Sequence, residues 1–324
     1  MGKLIALGEA LIDFMPLETG VPLADVTSFE KAPGGAPANV AACVAKLGAR
    51  SMVITQLGED GFGDFLVNTL RASGVDVSAV RRTDAAPTGL AFVSLRADGE
   101  REFLFYRSPS ADMLLEPDLI SDLWFKGGDI LHFCSVALNA EPMRRSHRRA
   151  VDLALDRGIM LSFDVNLRFP LWRDREELRK AVFDFIPGVH LLKTGCDELM
   201  FLTGAGHDES VAMMLELVPV LLVTYGKDGA ALNMRDRCVF HPGYGTAAVD
   251  TTGAGDSFVG SFLASLLEIG TGDITSLSDE AILPMLKRAQ AVASLVVAQK
   301  GAINAMPDIL QVERFMDTHD VAKK

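Results

Sequence analysis

The chain has 324 residues, of which 49% are apolar, enough for one large domain or two smaller ones. Its formal net charge of -12 makes nucleic acid and anionic membrane surfaces poor partners. Four widely spaced cysteines without a C-x-x-C pair predict reduced thiols and a cytoplasmic protein. We expect neither a signal peptide, since Glu9 and Asp13 interrupt the apolar start, nor a membrane span, which needs roughly 18 apolar residues in a row.

Short apolar runs alternate with longer segments of helical spacing along most of the chain. Strands are expected at residues 3–8, 51–57, 130–134, 159–165, 189–193 and 220–225. Helices are expected at residues 38–47, 62–73, 144–157, 175–185 and 209–217. The strand runs are apolar throughout, as in a parallel sheet that is covered on both faces. This order predicts a layered α/β fold.

One stretch, residues 88–107, interrupts this alternation. Two strand-like arms flank residues 97–100 (ADGE), which favour a hairpin turn because Gly99 can adopt a positive φ. No helix separates the arms, so we expect them to pair antiparallel outside the main sheet, with a further strand from residues 16–31. Both faces of the arms are apolar and need cover. A substrate cleft on one face and a second subunit on the other would provide it.

Residues 249–262 (VDTTGAGDSFVGSF) place small residues and a carboxylate where a helical pattern begins. Gly253, Ala254 and Gly255 allow a ligand to approach the backbone, and the N–H groups of a helix N-terminus attract an anion. A migrating phosphoryl group fits, because these donors stabilise the charge on its oxygens. Asp256, with no evident partner, is the candidate base for an attacking hydroxyl. The helix dipole lowers the pKa of Asp256, and we expect a bound polyphosphate to offset this.

Motifs of several other enzyme classes are missing from the sequence. It contains no G-x-x-x-x-G-K-[ST] loop, no H-R-D or D-F-G set and no H-E-x-x-H metal motif. The Gly-Glu-Ala that follows the first strand is not G-x-G-x-x-G, so a dinucleotide-binding domain is disfavoured.

Several stretches resemble the signatures of the ribokinase-like, or phosphofructokinase-B, carbohydrate kinases. The N-terminal signature is matched at residues 33–39 (PGGAPAN), 46–48 (KLG) and 58–63 (GEDGFG), and the C-terminal signature at residues 250–256 (DTTGAGD). Within the family, residues 102–112, 163–168 and 171–172 are most similar to fructokinases. The resemblance covers nearly the whole chain. It implies a three-layer α/β/α fold with a mostly parallel sheet and a small inserted β-sheet lid.

This resemblance also implies domain limits and residue roles. The α/β domain would comprise residues 1–14, 34–86 and 108–324, and the lid residues 15–33 and 87–107. Asp256 is the implied base, and Gly253, Ala254 and Gly255 form the implied anion hole. The implied sugar-binding residues are Asp13, Gly34, Gly35, Asn39, Tyr106, Arg107 and Arg168. The implied nucleotide-binding residues are Lys193, Thr224, Gly226 and Gly229. Helix capping by Asn39 and plain solvent exposure of Asp13 and Arg107 are the alternatives.

The implied cofactors are ATP, Mg²⁺ and K⁺. Phosphoryl transfer from ATP needs a cation on the phosphates, and Glu198 would bind Mg²⁺ through water, although Gly195 replaces the family's usual asparagine. Potassium would be held mainly by backbone carbonyls, with Asp250 supplying the charge. The implied potassium ligands are Asp250, Thr252, Val296, Gln299, Gly301 and Ala305.

Several functions stay open at this point. A fructokinase that makes fructose 6-phosphate is favoured. A 2-keto-3-deoxygluconate kinase would use Tyr106 and Arg107 for a carboxylate, but Phe105 beside them offers no hydroxyl. An aminoimidazole riboside kinase is a further alternative. A non-catalytic sugar-binding regulator conflicts with an intact Asp256, and an oxidoreductase lacks its fingerprint. We also expect a lid that closes over the sugar and excludes water, and a homodimer formed through the lid.

Overall fold

The structure is a computed structural model that describes residues 2–18, 20–95 and 101–319. The strands of this part of the chain are β1 (Leu4–Leu7), β2 (Leu11–Pro16), β3 (Phe29–Gly34), β4 (Ser51–Gly58), β5 (Val80–Thr83), β6 (Leu90–Leu95), β7 (Arg101–Tyr106), β8 (Ile130–Cys134), β9 (Met160–Asp164), β10 (Leu191–Gly195), β11 (Val220–Thr224), β12 (Ala230–Asn233) and β13 (Cys238–His241). The helices are α1 (Ala36–Lys46), α2 (Gly61–Ala72), α3 (Met143–Asp156), α4 (Arg175–Phe185), α5 (Cys196–Thr203), α6 (His207–Leu215), α7 (Ala254–Ile269), α8 (Asp279–Val297) and α9 (Ile309–Thr318).

Among the described strands, nine form one large sheet in the order β13-β12-β11-β10-β9-β8-β1-β4-β5. The strands from β11 to β5 along this order pair in parallel, as the continuous apolar runs predict. Strands β12 and β13 pair antiparallel and form one edge of the sheet. The sequence patterns did not predict this edge hairpin or strand β5.

Successive side chains of the central strand β1 enter two different cores. Leu4 and Ala6 pack with residues of α1, α7 and α8, whereas Ile5 and Leu7 pack with residues of α3 and α4. This is the period-two alternation of a strand that is covered on both faces. The three-layer α/β/α fold with a mostly parallel sheet is therefore confirmed.

Helix α7 is buried along most of its length between α1 and α8. Phe262, for example, is completely inaccessible to solvent. A helix that is apolar on all sides is held in place by its neighbours, so its N-terminus has a fixed position in the protein. The residues of the G-A-G-D stretch lie at that end.

A second sheet of the described strands has the order β3-β2-β6-β7 and forms the lid. Strands β6 and β7 pair antiparallel, as expected for the two arms, and β3 overlaps only the end of the stretch 16–31 from which a further strand was expected. The predicted turn at residues 97–100 lies outside the described residues. Strand β2 of this sheet begins at Leu11 and pairs with both β3 and β6. Asp13, assigned to the α/β domain, therefore lies in a lid strand.

None of the helices within the described ranges combines the length and apolar character that a membrane crossing requires.

Candidate active site

Two cavities lie beside the N-terminus of α7 and share part of their walls. The larger, of about 730 Å³, opens between the lid and the main sheet, and we call it the lid cleft. The smaller, of about 270 Å³, lies between α7, α8 and the turn after β11, and we call it the helix cavity. Thr251 and Gly255 line both cavities.

Most of the residues predicted from the sequence line one of these two cavities. The lid cleft contains Asp13, Gly35, Asn39, Arg168, Lys193, Thr252, Gly253, Gly255 and Asp256. The helix cavity contains Thr224, Gly226, Gly229, Ala254 and Gly255. Lys193 was predicted to contact the nucleotide, and it reaches the shared wall from the side of the lid cleft.

Glycine is required at the start of α7 by conformation and by space. Gly253 has a φ of 75°, and a Cβ atom there would lie 2.7 Å from the Cβ of Ala302. Asp250 fixes the preceding loop, since its Oδ1 accepts the N–H of Thr252 at 2.8 Å and its Oδ2 accepts the N–H of Gly301 at 2.9 Å. The first turn of α7 is thereby held at the wall between the two cavities.

Asp256 is buried in this first turn, and it has a partner. Its Oδ2 accepts a hydrogen bond of 2.7 Å from Nδ2 of Asn39, so the expectation of an unpaired carboxylate was wrong. Burial raises the pKa of Asp256, while the Asn39 hydrogen bond and the charges of Arg168 and Lys193 lower it. Burial is therefore the largest of these influences on the pKa of Asp256. Among the described residues Oδ1 of Asn39 has no hydrogen-bond partner, which leaves an acceptor beside Asp256.

Asp13 enters the lid cleft from strand β2. The pKa of Asp13 is raised to about 7, mainly by burial and next by the charge of Asp256, whereas the charge of Arg168 lowers it. Gly34 does not line the cleft. A Cβ atom there would lie 2.1 Å from Oδ2 of Asp13, so Gly34 makes room for this carboxylate. Gly35, with a φ of 106°, forms the cleft wall.

Lys193 brings a positive charge to the shared wall. Its Nζ lies 3.1 Å from Oδ2 of Asp164, and both side chains are buried. The same Nζ lies 3.0 Å from the point that a Cβ atom on Gly255 would occupy. The ammonium group therefore lies next to the backbone at the start of α7, where it can neutralise an anion.

Two predicted sugar contacts, at the end of β7 and directly after it, do not line the lid cleft. Side chains alternate along a strand, so Phe105 lines the cleft while Tyr106 lies on the outer face of the lid. Tyr106 is 59% exposed, and its ring centroid lies 5.5 Å from that of Phe92. Arg107 is buried outside the cleft lining and forms a salt bridge with Asp112. We therefore correct the prediction that Tyr106 and Arg107 contact the sugar directly.

Glu198 connects two segments of the backbone. Its Oε1 accepts the N–H of Leu167 and its Oε2 accepts the N–H of Gly195, each at 2.7 Å. It lines neither the lid cleft nor the helix cavity in the part of the chain described here. Its contact with a magnesium-bound water stays a prediction.

The segment implied in potassium binding lies beside Asp250. The N–H groups of Val249 and Asp250 both donate to the carbonyl of Val297, at 2.7 and 3.1 Å, and Gly301 donates to the Asp250 carboxylate. The structure thus brings the implied ligands at residues 250–252 and 296–305 together. Within the described ranges, no group of three or more His, Cys, Asp and Glu side chains is arranged to hold a metal ion. A cation beside Asp250 would therefore depend on backbone oxygens.

Several cavity-lining residues were not predicted. In the lid cleft these include Glu9, Asn166 and Phe169, and in the helix cavity they include Gly243, Tyr244, Gly245, Gln290, Ala293, Ser294 and Val297. The Gly-Tyr-Gly triplet at residues 243–245 and the Asn166 within the fructokinase-like stretch were signals that could have revealed two of these segments. The small residues of α8 carry no such signal.

A carboxylate-lined cleft and a glycine-lined cavity that meet at a helix N-terminus have the geometry of a phosphotransferase. Comparison with known proteins gives the same result. Residues 1–309 match the family that is described as pfkB family carbohydrate kinase. It is 41% identical to probable fructokinase-4 of Arabidopsis thaliana, over 97% of this chain and 96% of that protein.

Two solved structures are similar over nearly their whole length. The fructokinase of Xylella fastidiosa with bound ATP has a TM-score of 0.89 and 31% identity, covering 98% of this chain and 99% of that one. The fructokinase of Vibrio cholerae O395 with fructose, ADP and calcium ion bound has a TM-score of 0.88 and 33% identity, covering 97% and 99%. The protein therefore belongs to the pfkB family of carbohydrate kinases. The family and the enzyme class predicted from the sequence are confirmed.

Proposed function

We propose that this protein is an ATP-dependent fructokinase that converts D-fructose to fructose 6-phosphate. The observation that carries the proposal is the shared wall at Thr251 and Gly255, with Asp256 on the side of the lid cleft. A sugar hydroxyl in the lid cleft and a γ-phosphate reaching out of the helix cavity would meet there. Relatives that bear the name fructokinase support the choice of sugar.

The charge of the lid cleft favours a neutral sugar over a sugar acid. Glu9, Asp13 and Asp256 face Arg168 and Lys193 across it. Arg107, which a sugar-acid kinase would use, is already paired with the buried Asp112. A substrate carboxylate would add a further negative charge to a cleft that is rich in acids, at a cost in free energy. Sugar hydroxyl groups can instead donate hydrogen bonds to the carboxylate of Asp13 and to Oδ1 of Asn39.

The proposed reaction is a direct transfer. Asp256 accepts the proton of the attacking sugar hydroxyl. The hydroxyl oxygen forms a bond to the γ-phosphorus, and the bond between that phosphorus and the β,γ-bridging oxygen breaks. ADP leaves with that bridging oxygen. The N–H groups at residues 253–255 and the ammonium of Lys193 stabilise the charge on the transferred oxygens.

ATP would occupy the helix cavity. Thr224 ends β11, and Gly226 and Gly229 lie in the turn after it. Ala293 and Val297 of α8 give an apolar wall that suits a flat base. Mg²⁺ would neutralise the phosphates, and we retain Glu198 as its contact through water. We propose K⁺ beside Asp250 and Thr252, where it would hold the anion hole in place.

The outer face of the lid supports the proposed homodimer. Leu104 and Tyr106 are 45% and 59% exposed, and Tyr106 continues an aromatic cluster with Phe92, Phe14 and Phe29. A second lid would cover this surface. Light scattering at micromolar concentration tests this, since a monomeric mass contradicts it. We propose the cytoplasm as the location, because all four cysteines are free and ATP is available there.

The test of the proposed function is ADP release with Mg²⁺ and K⁺ over a panel of fructose, glucose, ribose, 2-keto-3-deoxygluconate and aminoimidazole riboside. The expected result is the highest kcat/KM with fructose, and slow ATP hydrolysis without sugar because the lid excludes water. If another compound leads, the kinase assignment stands and fructose is wrong. If no compound releases ADP, the proposed function is wrong.

A further inference from the structure

Glu9 is a buried acid of the lid cleft for which the mechanism above has no use. It follows β1, and only 2% of its surface is exposed. Its Oε1 accepts the N–H of Ala36 at 2.8 Å, the first residue of α1. Its Oε2 faces the thiol of Cys134, with Sγ 4.0 Å away, which is the outer limit of a weak hydrogen bond. A thiol is a weak donor and a carboxylate oxygen can accept two hydrogen bonds, so Oε2 has room for one further donor.

Arg107 and Asp112 form a buried ion pair, and the charges of both act on Glu9. Both are almost completely buried, and Nη2 of Arg107 donates to Oδ2 of Asp112. Burial raises the pKa of Glu9 to about 7, and the charge of Arg107 opposes this rise. In the described part of the protein, Nε and Nη1 of Arg107 have no hydrogen-bond partner. The guanidinium is thus held by Asp112, and its charge also acts on Glu9.

The contact with Ala36 does not account for a carboxylate at this position. Gly35 has no side chain with which to cap α1, so an acceptor from β1 is useful, but a neutral amide or hydroxyl would suffice. A buried charge with an unused lone pair costs stability unless a partner arrives. The open side of Glu9 is the lid cleft. A ligand hydroxyl there would give Oε2 of Glu9 a stronger donor than the Cys134 thiol.

We propose that Glu9 is a further sugar-binding residue whose Oε2 accepts a hydrogen bond from one hydroxyl of the substrate. Arg107, which Asp112 holds in place, is the positioning residue, since its positive charge favours the ionised form of this carboxylate. The proposal rests on the proposed function, because it takes a neutral sugar as the occupant of the cleft. The hydroxyl that binds Glu9 is not the one that is phosphorylated, since that hydroxyl must face Asp256.

The test measures the phosphorylation of fructose and of its 1-deoxy, 3-deoxy and 4-deoxy analogues and of 2,5-anhydromannitol by the wild type and by Glu9→Gln. Glutamine keeps an oxygen for the N–H of Ala36 but removes the charged acceptor. With fructose, KM is expected to rise about 10–10²-fold while kcat changes little, as for the loss of a hydrogen bond to a charged group. For the one analogue that lacks the contacted hydroxyl, Glu9→Gln is expected to cause no further rise.

Controls separate this role from a structural one. An equal rise in KM for every analogue, or an unchanged KM with a lower melting temperature, would show that Glu9 only caps α1, and would overturn the proposal. Arg107→Lys is expected to raise KM selectively for sugars that carry the same hydroxyl. Glu59 is an exposed acid, and Glu59→Gln is expected to leave KM unchanged for every sugar. If Glu9→Gln does not fold, Glu9→Asp keeps the charge one methylene further back and is expected to show the same selective loss.

The outcomes also distinguish this proposal from the one on which it rests. A wild type that phosphorylates fructose, with Asp256→Asn inactive and Glu9→Gln unchanged for every sugar, overturns only the role of Glu9. A wild type that phosphorylates no sugar overturns both.

Discussion

The lid cleft and the helix cavity meet at Thr251 and Gly255 but differ in construction. The lid cleft collects charged and polar side chains from the lid, α1, the loop after β9, β10 and α7. The helix cavity is formed by glycines in two turns and by small or apolar residues of α8. The groups that move protons and neutralise charge therefore lie on one side of the wall, and the other side provides shape.

This difference separates two kinds of substitution. Changes in the lid cleft alter acids whose pKa values burial has raised, so they change catalysis and the pH dependence of stability. Changes in the helix cavity alter volume, so they change the binding of one substrate. The predictions below test this contrast, beginning with the largest expected effect.

Asp256→Asn is expected to lower kcat by about 10²–10⁴-fold, because it removes the proton acceptor. Asparagine can still accept the hydrogen bond from Asn39, so sugar binding measured by calorimetry is expected to persist. Asp152→Asn on the exposed face of α3 is the matched control. A variant that retains most of the wild-type kcat in an ADP-release assay would place the base elsewhere.

Gly255→Ala is expected to lower kcat by about 10–10²-fold, as for a small displacement of a catalytic group. The new Cβ atom would lie 3.0 Å from Nζ of Lys193, in the wall that both cavities share. Gly272→Ala is the control, because no heavy atom lies within 4 Å of a Cβ atom there. Equal rates for the two variants would show that the shared wall tolerates a methyl group.

Ala293→Leu tests the helix cavity alone. The larger side chain would fill part of the apolar wall, so KM for ATP is expected to rise about 10-fold or more while KM for the sugar stays constant. Ala72→Leu, at an exposed position of α2, controls for the substitution. A parallel rise in both KM values would contradict the division between the two cavities.

Asp13→Asn is expected to stabilise the protein at pH 8. Because burial raises the pKa of Asp13 to about 7, the folded protein keeps a proton that the unfolded chain loses near pH 4. Stability is therefore lost as pH rises between these values, and the asparagine avoids this loss. The melting temperature is expected to increase by at least about 2 °C at pH 8 and by less at pH 4. A gain that is equal at both pH values would contradict the role of the charge.

Tyr106→Phe is expected to have the smallest effect. The tyrosine lies on the outer face of the lid, so KM for the sugar is expected to stay at the wild-type value, while Phe105→Ala raises it. Steady-state kinetics of the two variants checks this. A rise in KM for Tyr106→Phe alone would place the tyrosine hydroxyl in the cleft.

The sequence was most informative where the chemistry demands particular residue types. Phosphoryl transfer needs a carboxylate and small residues at a helix N-terminus, and the position of residues 253–256 at such an end could be predicted from residue type and order. The apolar strand runs similarly revealed the parallel part of the sheet. The edge hairpin of β12 and β13 was missed because strands of four residues are too short to give a clear pattern.

Orientation and partnership were beyond the sequence. Whether Phe105 or Tyr106 faces the cleft depends on strand register, which a run of apolar residues does not fix. Arg107 has a buried partner, Asp112, only five residues further on, and the bend between them brings the two together. The residues of α8 at the helix cavity are small and apolar, as in any core, so nothing marked Ala293 as a residue of a binding site.

The central claim is that a phosphoryl group passes through the shared wall to a sugar hydroxyl in the lid cleft. The most direct test is ³¹P NMR of the products formed by the wild type from ATP and fructose. The account predicts fructose 6-phosphate and ADP in equal amounts, with little inorganic phosphate. Inorganic phosphate as the main product, with no sugar phosphate, would show that the cleft does not present a hydroxyl to the γ-phosphate and would contradict the account.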